Sequence, residues 1–238
     1  MTTAKKLAQI ACSVTKTHLY EPKRDWIQHK LPNIQFSVAV GTGKATYHKL
    51  NRQTAKCKIN YGVKAMESAI TLNGCMSWTT GSEILDRNYW GRDITPSILL
   101  SSTILHEFGH LIQRLHTETR DGVHDALFYK ILDRMHASEY RDSVLTQVEL
   151  GMAKRGIPNQ FTNGIREIPE SLLDQWRRLR TRSEGYFYHE GTLTRCKVQK
   201  VNSKRVNISS KLGGFLIPRT HFIPREYVTL YDSSEFSC

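Results

Sequence analysis

The chain has 238 residues, 39% apolar and 24% charged, which is enough to bury a core and excludes a disordered or fibrous protein. Its net charge of +12 is uneven: residues 1–64 hold 12 Lys and Arg against 2 Asp and Glu, residues 175–225 hold 12 against 2, and 65–174 hold 10 against 15. Without an apolar run of about 18 residues or a secretory signal in 1–7, and with five cysteines that form no CxxC pair, the expectation is a soluble cytoplasmic protein with reduced thiols and no membrane partner.

Residues 3 to about 18 place Leu7, Ile10, Ala11 and Val14 at helical spacing. Three strands follow, over 34–40, 45–50 and 55–60, with a turn at Gly41-Thr42-Gly43. They predict a small antiparallel β-meander whose last strand offers an edge to an extended peptide. Residues 71–95, with Trp78 and Trp90, read as an irregular excursion that could wall a site. Thr95-Pro96 then opens a helix, Thr as N-cap and Pro at the first helical position.

That helix carries His106-Glu107-Phe108-Gly109-His110, an HExxH motif. At about 100° per residue the two histidines lie ~40° apart on one face, one turn along, so both imidazoles can reach one metal ion. Glu107 beside them is placed to take a proton from a water polarised by that metal as the water attacks a carbonyl. Apolar Phe108, Leu111, Ile112 and Leu115 surround the motif, and histidines buried there are costly without a metal or another partner.

A catalytic zinc (Zn2+) has three protein ligands and an open position, and several residues compete for the third place. His116 has metzincin spacing, but Gln113 stands where those proteins have glycine, and in a continuing helix His116 lies ~80° from His106 and ~9 Å beyond His110. His124 follows the Asp121-Gly122 break at the start of a helix able to fold back, and Glu118 and Glu139 are acidic alternatives.

That next helix would bury Leu127, Phe128, Ile131, Leu132 and Met135, and another covers about 141–155. Residues 156–169 read as a linker, and 169–182 as a helix with Arg177, Arg178, Arg180 and Arg182 at its C-terminal end. From 184 to 226 the chain turns to short β segments, 192–201, 205–209 and 215–218, with room to close a small barrel. Tyr186, Phe187, Tyr188, Phe215 and Phe222 would either stack on bases or fill that barrel.

His106, Glu107, His110, His124 and Phe128, with the preceding helix and strands, resemble the SprT-like, Spartan-related zinc metalloprotease family over roughly residues 1–140. The tail at Gly191 and 197–206 is comparable to the small β-barrel of phage or bacterial members and lacks the Cys-rich zinc ribbon of other relatives. The resemblance implies His106, His110 and His124 as zinc ligands, Glu107 as catalytic base, and a loosely folded protein or peptide substrate. It implies an α+β protein: a zincin-like metalloprotease domain over 1–156, a linker and basic helix over 157–183, and a basic β-rich, barrel-like module over 184–238.

The expected function is zinc-dependent peptide hydrolysis on nucleic-acid-associated proteins, with nucleic acid held by segments 1–64 and 175–225. Tyr129 and residues 71–95 are candidates for stabilising the oxyanion. Two alternatives stand beside it: a nucleic-acid-binding protein with a structural zinc, and a cell-wall endopeptidase suited to an anionic wall.

Overall fold

The computed structural model describes residues 1–69, 83, 87–89, 91, 95–117, 124–160, 170–190, 192–202 and 205–228. They form two compact α+β units, one made by the described residues within 1–68 and 96–159, the other by those within 69–95 and 160–228. Most of the excursion expected at 71–95, the Asp121-Gly122 break and the part of the linker at 161–169 lie outside the described residues.

In the first unit, α1 (Thr3–Val14) starts at Thr2, whose Oγ1 accepts from the Lys5 N–H at 3.3 Å. The helical path continues past the expected end near 18, through a π-helical turn (Thr15–Tyr20) into α2 (Glu21–Lys30). Pro22 falls in the first turn of α2, where a missing N–H costs least, so it did not end the path. Thr15 donates to the Ala11 carbonyl (2.7 Å), leaving its oxygen to accept from the Tyr61 hydroxyl (2.6 Å).

Strands β1 (Gln35–Gly41), β2 (Tyr47–Asn51) and β3 (Lys56–Gly62) stand in the order β1-β3-β2, with β1 parallel and β2 antiparallel to β3. The expected antiparallel meander is therefore corrected to a mixed sheet, and the last strand is central rather than an edge. Burial explains the order: Cys57, Ile59 and Tyr61 are at most 1% exposed, so β3 takes the middle and separates the strands that sequence neighbourhood would pair. The connection from β1 crosses the end of β3 closely. A Cβ on Gly62 would stand 2.5 Å from the Gly43 carbonyl oxygen, so only glycine fits there.

After α3 (Val63–Ala69), the central element is α4 (Pro96–His116), with 17 of its 21 residues buried, as expected of a helix covered on all sides. It packs against α1, β2, α5 (Ala126–His136) and α6 (Glu139–Ala153). Helix α5 buries Phe128, Ile131, Leu132 and Met135 as its periodicity predicts, while Leu127, expected on the same face, is only half-buried, and α6 buries Val144, Val148 and Met152. Gly156, at φ 64°, turns the chain just beyond α6.

In the second unit, α7 (Glu170–Arg177) is shorter than the helix expected over 169–182. Arg182 adopts φ 76° and its N–H joins the sheet by donating to the Val198 carbonyl at 2.7 Å. Strands β4 (Glu184–His189), β5 (Thr192–Val201), β6 (Arg205–Ser210), β7 (Gly213–Pro218) and β8 (Ile223–Pro224) form an antiparallel sheet in the order β7-β6-β5-β4-β8. Phe187, Cys196, Val198, Val206, Ile208 and Phe222 make its core. Trp176 of α7 is fully buried and donates its indole N–H to the Phe222 carbonyl at 2.7 Å, which ties the helix to the sheet. Among the described residues no helix is long and apolar enough to cross a membrane.

Candidate metal centre

Helix α4 is gripped at both ends. At its start the Ser97 N–H donates to Asn159 Oδ1 (3.0 Å) and the Ser97 hydroxyl to Glu149 Oε1 (3.2 Å), partners from α6 and the segment after it. At its other end the Arg52 guanidinium, in the turn after β2, donates to the carbonyls of Arg114 (2.6 Å) and Thr117 (3.3 Å), a cation on the negative pole of the helix.

So fixed, α4 presents His106 and His110 one turn apart, with their Nε2 atoms 3.1 Å from each other. His124, just ahead of α5, brings its Nε2 to 3.1 Å from that of His106, and the three ligand nitrogens lie within 4.8 Å of one another. Tetrahedral zinc with Zn–N of about 2.0–2.1 Å separates its ligand nitrogens by about 3.3 Å, so the donor set fits, and the group could hold a metal ion. The Phe128 ring packs against all three imidazoles, with centroids 4.4 Å from His110 and 5.0 Å from His106 and His124. Gly109 faces that ring: an added Cβ would lie 3.4 Å from Phe128 Cε2, in ordinary contact, so the room there ends at about one methyl group.

A second layer of hydrogen bonds joins the two ligand-bearing segments. Gln113 Nε2 donates to Asp125 Oδ1 (2.9 Å), which orients the amide so that its Oε1 faces His110 Nδ1 at 3.4 Å and accepts from it. With the proton on Nδ1, the Nε2 lone pair of His110 points to the shared centre. The same Asp125 oxygen accepts from the Phe128 N–H (2.8 Å) and caps α5. One carboxylate thus sets the start of the helix next to His124 and, through Gln113, the tautomer of His110. Burial above all, then the neighbouring His106 and His124, pushes His110 down to about 2, so its imidazole is neutral, the form that binds a metal.

Glu107 is 6% exposed and directly follows His106. Its carboxylate lies close enough to Tyr61 to add to the burial that holds that phenol well above its ordinary range. Facing the other end of α4 is His48 of β2, 3.5 Å from Cys57 Sγ. Burial, then the Arg114 charge, pushes His48 down to about 4, and burial pushes Cys57 up to about 12, so the pair is a neutral thiol beside a neutral imidazole.

The other residues singled out in the sequence stand elsewhere. His116 ends α4 exposed to solvent, with its ring 5.5 Å from that of Trp26. Glu139 is exposed at the start of α6, and Glu118 lies outside the described residues. Tyr129 is buried, 6.5 Å from the His124 ring between centroids. Gln113, Asp125, Arg52 and His48 were not anticipated from sequence. The i,i+3 spacing of His110 and Gln113, and an Asp one residue before a helix, are the signals that point to the first two. Compared with known protein families, with curated proteins and with solved structures, the chain matches none.

Proposed function

We propose that the protein is a zinc metalloendopeptidase of the SprT-like kind, cytoplasmic, with a zincin-like catalytic unit and a barrel-like C-terminal module, acting on proteins associated with nucleic acid. The convergence of three imidazole nitrogens beside a buried glutamate carries this reading. Zinc bound there would supply Lewis acidity, bringing water toward a neutral pKa and polarising a peptide carbonyl. Glu107 accepts the proton of the attacking water and returns it to the departing amine. The Gln113–Asp125 pair keeps the His110 lone pair aimed at the metal, and Phe128 excludes water from beneath the three rings. Helix α4 lies against β2, an edge strand of its sheet, to which an extended peptide could add by main-chain hydrogen bonds.

Among the described residues no fourth His, Cys, Asp or Glu joins the group, which favours an open catalytic site over a closed structural one. The test is hydrolysis of unfolded casein by zinc-loaded protein. Glu107→Gln should retain one equivalent of zinc and lose about 10²–10⁴-fold in rate. Equal rates for the two proteins, or no hydrolysis by either, would contradict the reading.

A further inference from the structure

Strand alternation gives the β1-β3-β2 sheet two unlike faces. His48, Cys57 and Ile59 are buried or half-buried, whereas Gln35, Ser37, Lys49, Asn51, Lys56 and Lys58 are exposed on the other side. On that outer face Lys49 and Lys58 are direct cross-strand partners, and Lys56 follows Lys58 at about 6.7 Å along the same strand. Directly opposed like charges, with Cβ atoms about 4.5–5.5 Å apart, destabilise a sheet. Nothing nearby offsets them: residues 31–66 contain no Asp or Glu, and among the described residues no acidic side chain pairs with any of the three lysines.

The chain solves the same problem differently elsewhere. On β5, Arg195 and Lys197 flank Glu184 of β4 at 2.9 and 3.7 Å. Among the described residues the lysine row is therefore uncompensated, and it lines a concavity of about 430 Å³ together with Gln35, Ser37, Asn51 and the Phe36 side of β1. Tyr47, two residues before Lys49 on the same face, is 40% exposed. A shallow concavity rimmed by cations at this spacing beside an open aromatic ring matches an extended single strand better than the broad, rounded surface of a duplex.

We propose that the outer face of the β1-β3-β2 sheet binds single-stranded nucleic acid. Lys49, Lys56 and Lys58 pair with backbone phosphates, and Tyr47 stacks on a base. The assignment rests on the nucleic-acid part of the proposed function and is independent of its metal chemistry. It also explains why a repulsive pair faces across β2 and β3: the bound polyanion supplies the missing countercharge.

The test is fluorescence anisotropy of a labelled oligothymidine with the full-length Glu107→Gln protein, titrated at salt concentrations between about 50 and 200 mM. Lys49→Glu with Lys58→Glu should weaken binding on the order of tenfold or more and reduce the slope of log affinity against log salt by about 1.4, two phosphate contacts at roughly 0.7 each. Tyr47→Ala should weaken it about fivefold or more.

Lys49→Glu alone should weaken binding yet raise the melting temperature by roughly 1–3 °C, because it turns a like-charge pair into an opposite-charge one. That opposition of signs separates a binding role from damage to the fold. Unchanged binding in the double variant, or loss of binding only in a Lys197→Glu, Lys200→Glu protein, would overturn the proposal. So would equal competition by a duplex, or lysine-dependent capture of phosphatidylserine vesicles without oligonucleotide binding. Because the protein assayed is the protease-inactive variant, failure here leaves the casein result standing, and the reverse also holds.

Discussion

The two units bury different kinds of side chain. Among the described residues the first buries Thr15, Asn60, Glu107, His110 and Gln113, among them two residues of the candidate metal centre, while the second buries Glu83, Thr194 and Thr220 beside the apolar core of Phe187, Cys196, Val198, Val206, Ile208 and Phe222. Buried polar groups cost several kcal/mol unless partnered, and the first unit partners them: Thr15 with Tyr61, Asn60 with the Ala45 carbonyl, and Gln113 with Asp125 and His110. That network gathers the titratable groups of the candidate metal centre in the first unit, which makes it the place to look for chemistry.

The contrast breaks most plainly if damage to the apolar core empties the metal site. Phe222→Ala should cost about 3–5 kcal/mol in the melting of the second unit while zinc binding stays unchanged. Zinc lost in step with that melting would mean the units are not separable.

Acid sharpens the contrast from the other side. His48 is neutral in the fold, at about 4 against an ordinary 6.5, so the unfolded chain takes up a proton that the native state refuses. Its contribution is fully present above 6.5 and falls away between about 6.5 and 4, by at most ~3 kcal/mol, in the metal-free protein. His110 in the same unit and His221 in the second are also lowered by burial, so the quantity to measure is the difference made by His48→Gln, which should make this part of the stability profile less steep. A profile that the substitution leaves unchanged would count against a neutral His48.

The smallest of these effects concerns the hydrogen bonds behind the ligands. Gln113→Ala should weaken zinc by about tenfold to a hundredfold in a chelator competition, Gln113→Glu should recover part of the loss by accepting from His110 again, and melting of the second unit should not move. Unaltered affinity in the alanine variant would show that the tautomer of His110 is set by something else.

Local chemistry made much of this legible. Thr95-Pro96 and the apolar run after it locate α4, the HExxH spacing brings two histidines to one face, and alternation marks β1, β5 and β6. What stayed hidden depends on residues far apart in sequence. The central place of β3 follows from tertiary burial, so neighbouring strands suggested a meander that does not form. The helical path expected to end near residue 18 continues through the π-helical turn into α2. The third candidate was open among His116, His124, Glu118 and Glu139 because which of them meets His106 and His110 depends on how α5 folds back, and the Gln113–Asp125 bond between the two segments spans α4 and the start of α5.

Calorimetric zinc titration of the His124→Ala and His116→Ala proteins side by side addresses the centre itself. Loss of the tight site in the first, with one equivalent retained at undiminished affinity in the second, is the expected result. Tight zinc binding that survives without His124 would contradict a site built from His106, His110 and His124.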